Sequence, residues 1–174
     1  MELAGHFLAV ARDEFRRLKR QAEKALAQVD DEALHHVLDP ESNSLAILLR
    51  HLAGNMRSRW TDFLTTDGEK PDRHRDGEFE TTSRTRGELM AEWEDGWARL
   101  FSALDGLSGE DMTRGVTIRG ESLCVVEAIS RQLTHYAAHV GQIVFLAKHL
   151  AGERWKTLSI PRGQSANPAP YKPR

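Results

Sequence analysis

Gln132-Leu133-Thr134-His135-Tyr136-Ala137-Ala138-His139-Val140-Gly141-Gln142-Ile143 is the stretch on which the reading of this chain turns. Leu133, Tyr136, Val140 and Ile143 recur at three- and four-residue spacing, the period of an amphipathic helix. His135 and His139 are four residues apart, so their imidazoles share one face about one turn apart and can hold one metal ion. The pair alone is a weak signal. It gains weight from His51, a third histidine in a second apolar helical run, Leu45-Ala46-Ile47-Leu48-Leu49-Arg50-His51-Leu52-Ala53-Gly54-Asn55.

Working outward, the opening stretch belongs to a helix running from about Ser122 to Leu150 and closed by Ala151-Gly152. Before it, Val116 to Leu123 alternates around Gly120, which suggests a short hairpin or extended turn. A third helix, Arg86 to Leu104, carries Leu89, Trp93, Trp97, Leu100 and Leu104, aromatics and aliphatics at core spacing. Pro40 to Ser44 supplies capping residues for a second helix extending to about Leu64. The first helix spans Leu3 to Val29, with Leu3, Phe7, Val10, Phe15 and Leu18 on its apolar stripe and Arg12, Arg16, Lys19 and Glu23 on a solvated face. Four long helices around one core make an all-α four-helix bundle.

Thr65 to Gly87 breaks the pattern, being highly charged with glycine, proline and one large apolar residue, Phe79. So long a connection either crosses the whole bundle, leaving helices two and three parallel, or folds over an opening as a lid. After the last helix, Trp155, Leu158 and Ile160 are expected to dock back on the bundle, and residues 166–174 to form a flexible tail beyond a single domain of 1–165.

At 174 residues the chain is long enough to bury a core without disulfides. Its 24 basic and 26 acidic side chains are intermixed and leave a net charge of -2, which argues against nucleic acid as a partner. No apolar run near the N-terminus resembles a signal peptide, and none has the length of a membrane span, so a cytoplasmic protein is expected. The one cysteine, Cys124, fits a reducing compartment and reads as a small core residue ahead of a nucleophile.

With His51 from one helix and His135 and His139 from another, a three-imidazole site inside the bundle is geometrically possible. Three protein ligands leave a position open for water or substrate, unlike a closed structural zinc site. Such an ion lowers the pKa of a bound water or thiol or polarises a carbonyl. Zinc is the first choice for three imidazoles; nickel, iron and manganese suit the same ligands. Asn55, Arg131, Gln132 and Gln142 lie within a turn of these histidines, where they orient ligands, grip a substrate or simply satisfy solvent and backbone. His6, His35, His36, His74 and His149 read as ordinary surface or hydrogen-bonded residues.

Leu48-Leu49-Arg50-His51-Leu52-Ala53-Gly54-Asn55 and Thr134-His135-Tyr136-Ala137-Ala138-His139-Val140-Gly141-Gln142-Ile143 resemble the motifs of the DinB-like metalloprotein superfamily of four-helix bundles. Arg59 to Pro71 and Trp155 to Ser165 are similar to one bacterial branch of it, related to bacillithiol S-transferases. The resemblance covers nearly the whole chain. It implies an up-down-down-up bundle with a long crossover between helices two and three, a metal triad on His51, His135 and His139, and a homodimer. Relatives of that kind include thiol-dependent S-transferases and isomerases, so it implies a small-molecule substrate and a low-molecular-weight thiol, with Arg131 placed to grip the thiol's carboxylate. A metal-dependent hydrolase and a non-catalytic metal-binding or stress-response module are the alternatives, because fold does not carry substrate with it.

Overall fold

The computed structural model describes residues 2–166. Its long helices are α1 (Glu2–Leu26), α3 (Leu45–Trp60), α4 (Arg86–Asp105) and α5 (Val125–Ala151), with a short α2 (Asp31–His35) after the first. Two strands, β1 (Gly115–Ile118) and β2 (Glu121–Cys124), form the antiparallel hairpin expected before the last helix, in the register Val116 to Leu123 and Thr117 to Ser122. Its two-residue turn places Arg119 at φ 57° and Gly120 at φ 76°, the left-handed pair that matches the twist of a tight hairpin and that glycine adopts without strain.

Contacts along the helices fix their directions. Arg12 meets Asp105 at 3.2 Å, Lys19 meets Glu94 at 2.8 Å and Arg86 donates to the Val29 carbonyl at 2.8 Å, so α1 and α4 are antiparallel. Ala53 lies against Gly96, and Thr61 accepts from Arg99 at 3.2 Å, so α3 and α4 are parallel. His51 faces His139 while Asn55 meets Tyr136, so α3 and α5 are antiparallel. The order is up-down-down-up. The charged crossover is therefore the link that a parallel α3 and α4 require, and it also folds across one side of α3.

Helix limits follow local chemistry. The Ser44 hydroxyl accepts from Ile47 N–H at 3.2 Å to start α3, and Thr85 with Glu88 forms a reciprocal capping box on α4. Helix α3 stops at Trp60, four residues short of the expected Leu64, because Thr61 leaves the helical region and Asp62 turns left-handed at φ 49°. Helix α5 starts at Val125 rather than Ser122, because residues 121–124 pair with β1, and the Cys124 N–H donates to Glu127 at 2.7 Å. Cys124 is thus a half-buried cap residue, not a core one.

The core is one apolar cluster drawn from all four long helices. At mid-height each contributes one ring: Phe15, Trp60, Trp97 and Tyr136. Phe15 stands 6.0 Å from Trp60, 6.4 Å from Trp97 and 5.8 Å from Tyr136 between centroids, in the tilted and edge-on geometries aromatic pairs favour. The Tyr136 hydroxyl accepts from Trp60 Nε1 and donates to Asn55 Oδ1, each at 3.0 Å, in a fully buried network that pins α3 to α5. Expectation fails at the edges of the stripes. Leu3 and Val10 are exposed, and so is Ile160, whereas Trp155 and Leu158 do pack on the core. Arg12 and Lys19 are not simply solvated; they tie α1 to α4. Apart from Ala166, the expected tail lies outside the described residues.

Tyr136→Phe should keep the fold but leave Trp60 Nε1 and Asn55 Oδ1 buried without a partner. The expected loss is about 1–3 kcal/mol in urea unfolding, and an unchanged midpoint would show that the network does not bind α3 to α5.

Candidate metal centre

One ring nitrogen from each of His51, His135 and His139 lies within 4.8 Å of the others. Helix α3 delivers His51 almost fully buried, at 3% exposure, and α5 delivers the other two at its edge, half-buried. His51 Nε2 is 3.3 Å from His135 Nε2. That matches the spacing of about 3.3 Å expected for two imidazole nitrogens bound some 2.0–2.1 Å from one tetrahedral ion. The rings stand edge to face, with centroids 4.7 Å apart for His135 and His139 and 4.9 Å for His51 and His139.

The opposite ring nitrogens are already engaged. His51 Nδ1 donates to Glu78 Oε2 at 3.0 Å, and His139 Nδ1 donates to Gln142 Oε1 at 2.8 Å. These bonds place the proton on Nδ1 and leave Nε2 as a lone-pair donor turned toward the cluster. Metal-binding histidines are characteristically oriented in this way. The His135 pKa is pushed down to about 3, first by burial and then by the neighbouring His139 and His51; burial also lowers that of His139. Neutral imidazoles are what a divalent cation requires. A three-histidine cluster capable of coordinating a divalent metal is therefore present.

Glu78 comes from the crossover, in a 3-10 turn at Asp76–Phe79, and was not singled out from the sequence. It is buried. Arg73 clamps it with two bonds, Nε to Oε1 at 2.8 Å and Nη2 to Oε2 at 2.7 Å. Burial works to raise the Glu78 pKa, but the hydrogen bonds from His51 and Arg73 outweigh it and hold the carboxyl below its ordinary range. Gly54, one turn after Arg50 on α3, makes room for this arrangement, since a Cβ there would collide with the Glu78 carboxylate. Arg50 donates to the Gly77 and Glu80 carbonyls, each at 2.8 Å, and so fastens the turn to α3. The only sequence hint was one buried-strength anchor, Phe79, amid charge; its ring lies 4.6 Å from that of His51.

A cavity of about 320 Å³ opens beside the triad. Asn55, Arg131 and Gln132 line it together with the three histidines, whereas Gln142 touches the site through His139. Asn55 is committed to Tyr136, and Arg131 is exposed with its nearest carboxylate, Glu121, at 3.9 Å. Gln132 is 3% exposed, and its Oε1 is buried without a hydrogen-bond partner among the described residues. A buried acceptor without a partner, on a residue that lines the same cavity as the three histidines, fits a site built to be filled. Arg59 also lines the cavity; it is buried and was not anticipated. Of the remaining histidines, His6, His36, His74 and His149 are exposed and His35 is half-buried, as their ordinary reading requires.

The family model described as "Protein of unknown function (DUF1572)" matches residues 2–164. No curated protein matches the sequence.

The depressed imidazole pKa values set a pH dependence. The unfolded chain binds protons at these histidines near pH 6.5 while the folded chain does not, so the metal-free protein should lose stability as pH falls from about 6.5 toward 4.5. Below that, Glu78 and Glu69, whose pKa values are also depressed, add to the loss. Urea midpoints that stay flat between pH 7 and 5 would contradict the depressed His135 and His139 pKa values. Separately, Glu78→Gln should weaken zinc binding by about 10–100-fold in chelator competition, with helical content unchanged.

Proposed function

The chain belongs to the DUF1572 family, its bundle is DinB-like with a three-histidine cluster, and we propose that it is a metal-dependent enzyme transferring a low-molecular-weight thiol to an electrophilic small molecule. His51, His135 and His139 would hold one divalent ion, zinc first, with nickel, iron or manganese accepted by the same ligands. When bound there, such an ion lowers the pKa of a thiol at neutral pH. The observation that carries the reading is the open cluster, with three convergent ring nitrogens, two of their rings held from behind, beside a cavity sized for a small molecule.

The chain's own residues divide the work. Glu78 and Gln142 hold the His51 and His139 rings in the Nδ1–H tautomer, and Arg73 keeps the Glu78 carboxylate ionised and aimed. Asn55, tied to Tyr136, and Gln132 form the polar floor, and Arg131 stands at the mouth to meet the thiol's carboxylate. In the transfer, the thiol loses its proton to solvent, the new S–C bond forms and the electrophile's leaving group departs with its electron pair. Among the described residues no aspartate or glutamate lines the cavity, and Glu78 is spent on His51 and Arg73. Deprotonation there would fall to the bound ion, which activates water as well as thiol, so a hydrolase is the second reading.

Among the described residues no helix is long and apolar enough to cross a membrane. The reading places the protein in the cytoplasm, where thiols stay reduced, with residues 1–165 as one domain. It takes the homodimer to form on the outer face of α5, where Ala137, Ala138 and Gly141 are exposed and Phe145 is 70% exposed.

Purified protein should carry one metal ion per chain, elute as a dimer, and conjugate some thiol and electrophile from a broad panel. Chelation should abolish turnover and zinc restore it, while His135→Ala should lose the metal and stay folded. A loaded protein that turns over no pair, and whose only response to chelation is a lower melting temperature, would make it a binding module instead.

A further inference from the structure

The crossover between α3 and α4 is fastened differently along its length. Residues 67–70 are held by the end of α3 and by the hairpin. Ser58 Oγ donates to the Gly68 carbonyl at 2.8 Å and accepts from Lys70 N–H at 3.0 Å, and Arg59 pairs with Glu69 at 3.1 Å. Gly68 N–H reaches the Thr117 carbonyl, and the Arg119 and Gly120 N–H groups reach the Asp67 carboxylate, each at 2.8 Å. None of these contacts involves a histidine of the triad.

Residues 73–80 grip α3 through two adjacent side chains. Arg50, half-buried, donates to the Gly77 and Glu80 carbonyls. His51 donates to Glu78 from Nδ1 and carries the Phe79 ring against its own. Arg73, the other partner of Glu78, belongs to the same segment, so its two bonds add no hold on α3. Arg75 and Phe79 wall the cavity beside the triad, while His74, Gly77 and Glu78 wall a second cavity of about 660 Å³. The segment is thus a wall one chain thick between two open spaces.

One ring joins the histidine cluster to that wall. His51 Nε2 faces His135 at 3.3 Å, and Nδ1 faces Glu78 at 3.0 Å. An ion on Nε2 excludes a proton there, keeps it on Nδ1 and makes that N–H a stronger donor. Without an ion, the same neutral ring can carry its proton on Nε2 toward His135. A bare Nδ1 lone pair then meets the Glu78 carboxylate, and a hydrogen bond becomes a repulsion between two acceptors.

We propose that residues 73–80 are a metal-gated strap, clamped to α3 while the triad holds an ion and released when the ion is lost, so that the small-molecule cavity is complete only in the loaded protein. The strap rests on the triad being a metal site and not on the chemistry performed there. Such coupling is reciprocal, so whatever unseats the strap must weaken the ion by the same factor. Gly54→Ala unseats it, because a Cβ at that position would collide with the Glu78 carboxylate while alanine suits the helix itself.

Hydrogen–deuterium exchange of the whole chain, read by peptide mass spectrometry with and without zinc, tests it. Amides of residues 73–80 should exchange about tenfold slower in the zinc-loaded protein, and those of residues 67–70 and of the hairpin should slow by less than about twofold. In Gly54→Ala, with helical content unchanged, the strap should exchange fast with or without zinc, and zinc affinity in chelator competition should fall about tenfold. Stoichiometric zinc uptake with equal exchange of residues 73–80 in both states overturns the strap and leaves the metal centre standing. A slowing spread evenly over the chain does the same, and the wild-type comparison decides the matter even where the variant does not fold. A folded Gly54→Ala protein with undiminished zinc affinity also overturns it. Protein that takes up no zinc overturns the metal centre and the strap together.

Discussion

The seam between α3 and α5 is the constraint on which the site depends. Tyr136 reaches across it to Trp60 and Asn55, in a region from which water is excluded, and its hydroxyl satisfies two polar groups that would otherwise be stranded. Tyr136 immediately follows His135 in sequence, and Asn55 stands one helical turn after His51. Fixing the tyrosine therefore fixes the separation of the imidazoles. The ring of Phe15 from α1 and that of Trp97 from α4 brace the tyrosine from the other side, so the whole core bears on one spacing.

A second layer runs sideways from that seam. Glu78, Arg73, Glu69 and Arg119 form an alternating chain of hydrogen-bonded charges that runs from the neutral His51 ring to the hairpin tip. Burial is expensive for each charge taken singly, and the chain works because every member meets an opposite one. It also explains why the crossover is charged yet ordered. The segment carries little apolar surface to bury, and hydrogen bonds from Arg50, an ion pair with Arg59 and hydrogen bonds from the hairpin backbone give it a fixed course over α3.

The sequence was legible where periodicity and capping operate. Helix identity, the hairpin around Gly120 and the pairing of His135 with His139 follow from spacing, because a helix projects its side chains regularly, whereas spacing only allowed His51 to join them and the family resemblance supplied the triad. Ends were less legible: Asp62 and the pairing of residues 121–124 are local backbone events that override an apolar stripe. Glu78 and Arg73 could not be read at all, since a non-periodic segment gives no rule for which of its many charges turns inward. Gln132 was equally consistent with solvent or interior from spacing alone, and the packed bundle puts it inside, at 3% exposure. Arg59 was not singled out, because the Glu69 carboxylate that meets it when buried returns from ten residues away.

The central claim is that these three imidazoles share one ion through Nε2, with Glu78 and Gln142 behind two of them. The most direct measurement is an anomalous difference map, collected at the zinc edge, of crystals of the zinc-loaded protein. One strong peak per chain, bonded to Nε2 of His51, His135 and His139 at about 2.0–2.1 Å with a further position open to the cavity, is the predicted result. A peak ligated by Glu78 or Cys124 in place of the triad, or a triad with no peak in protein that binds zinc stoichiometrically, would contradict it.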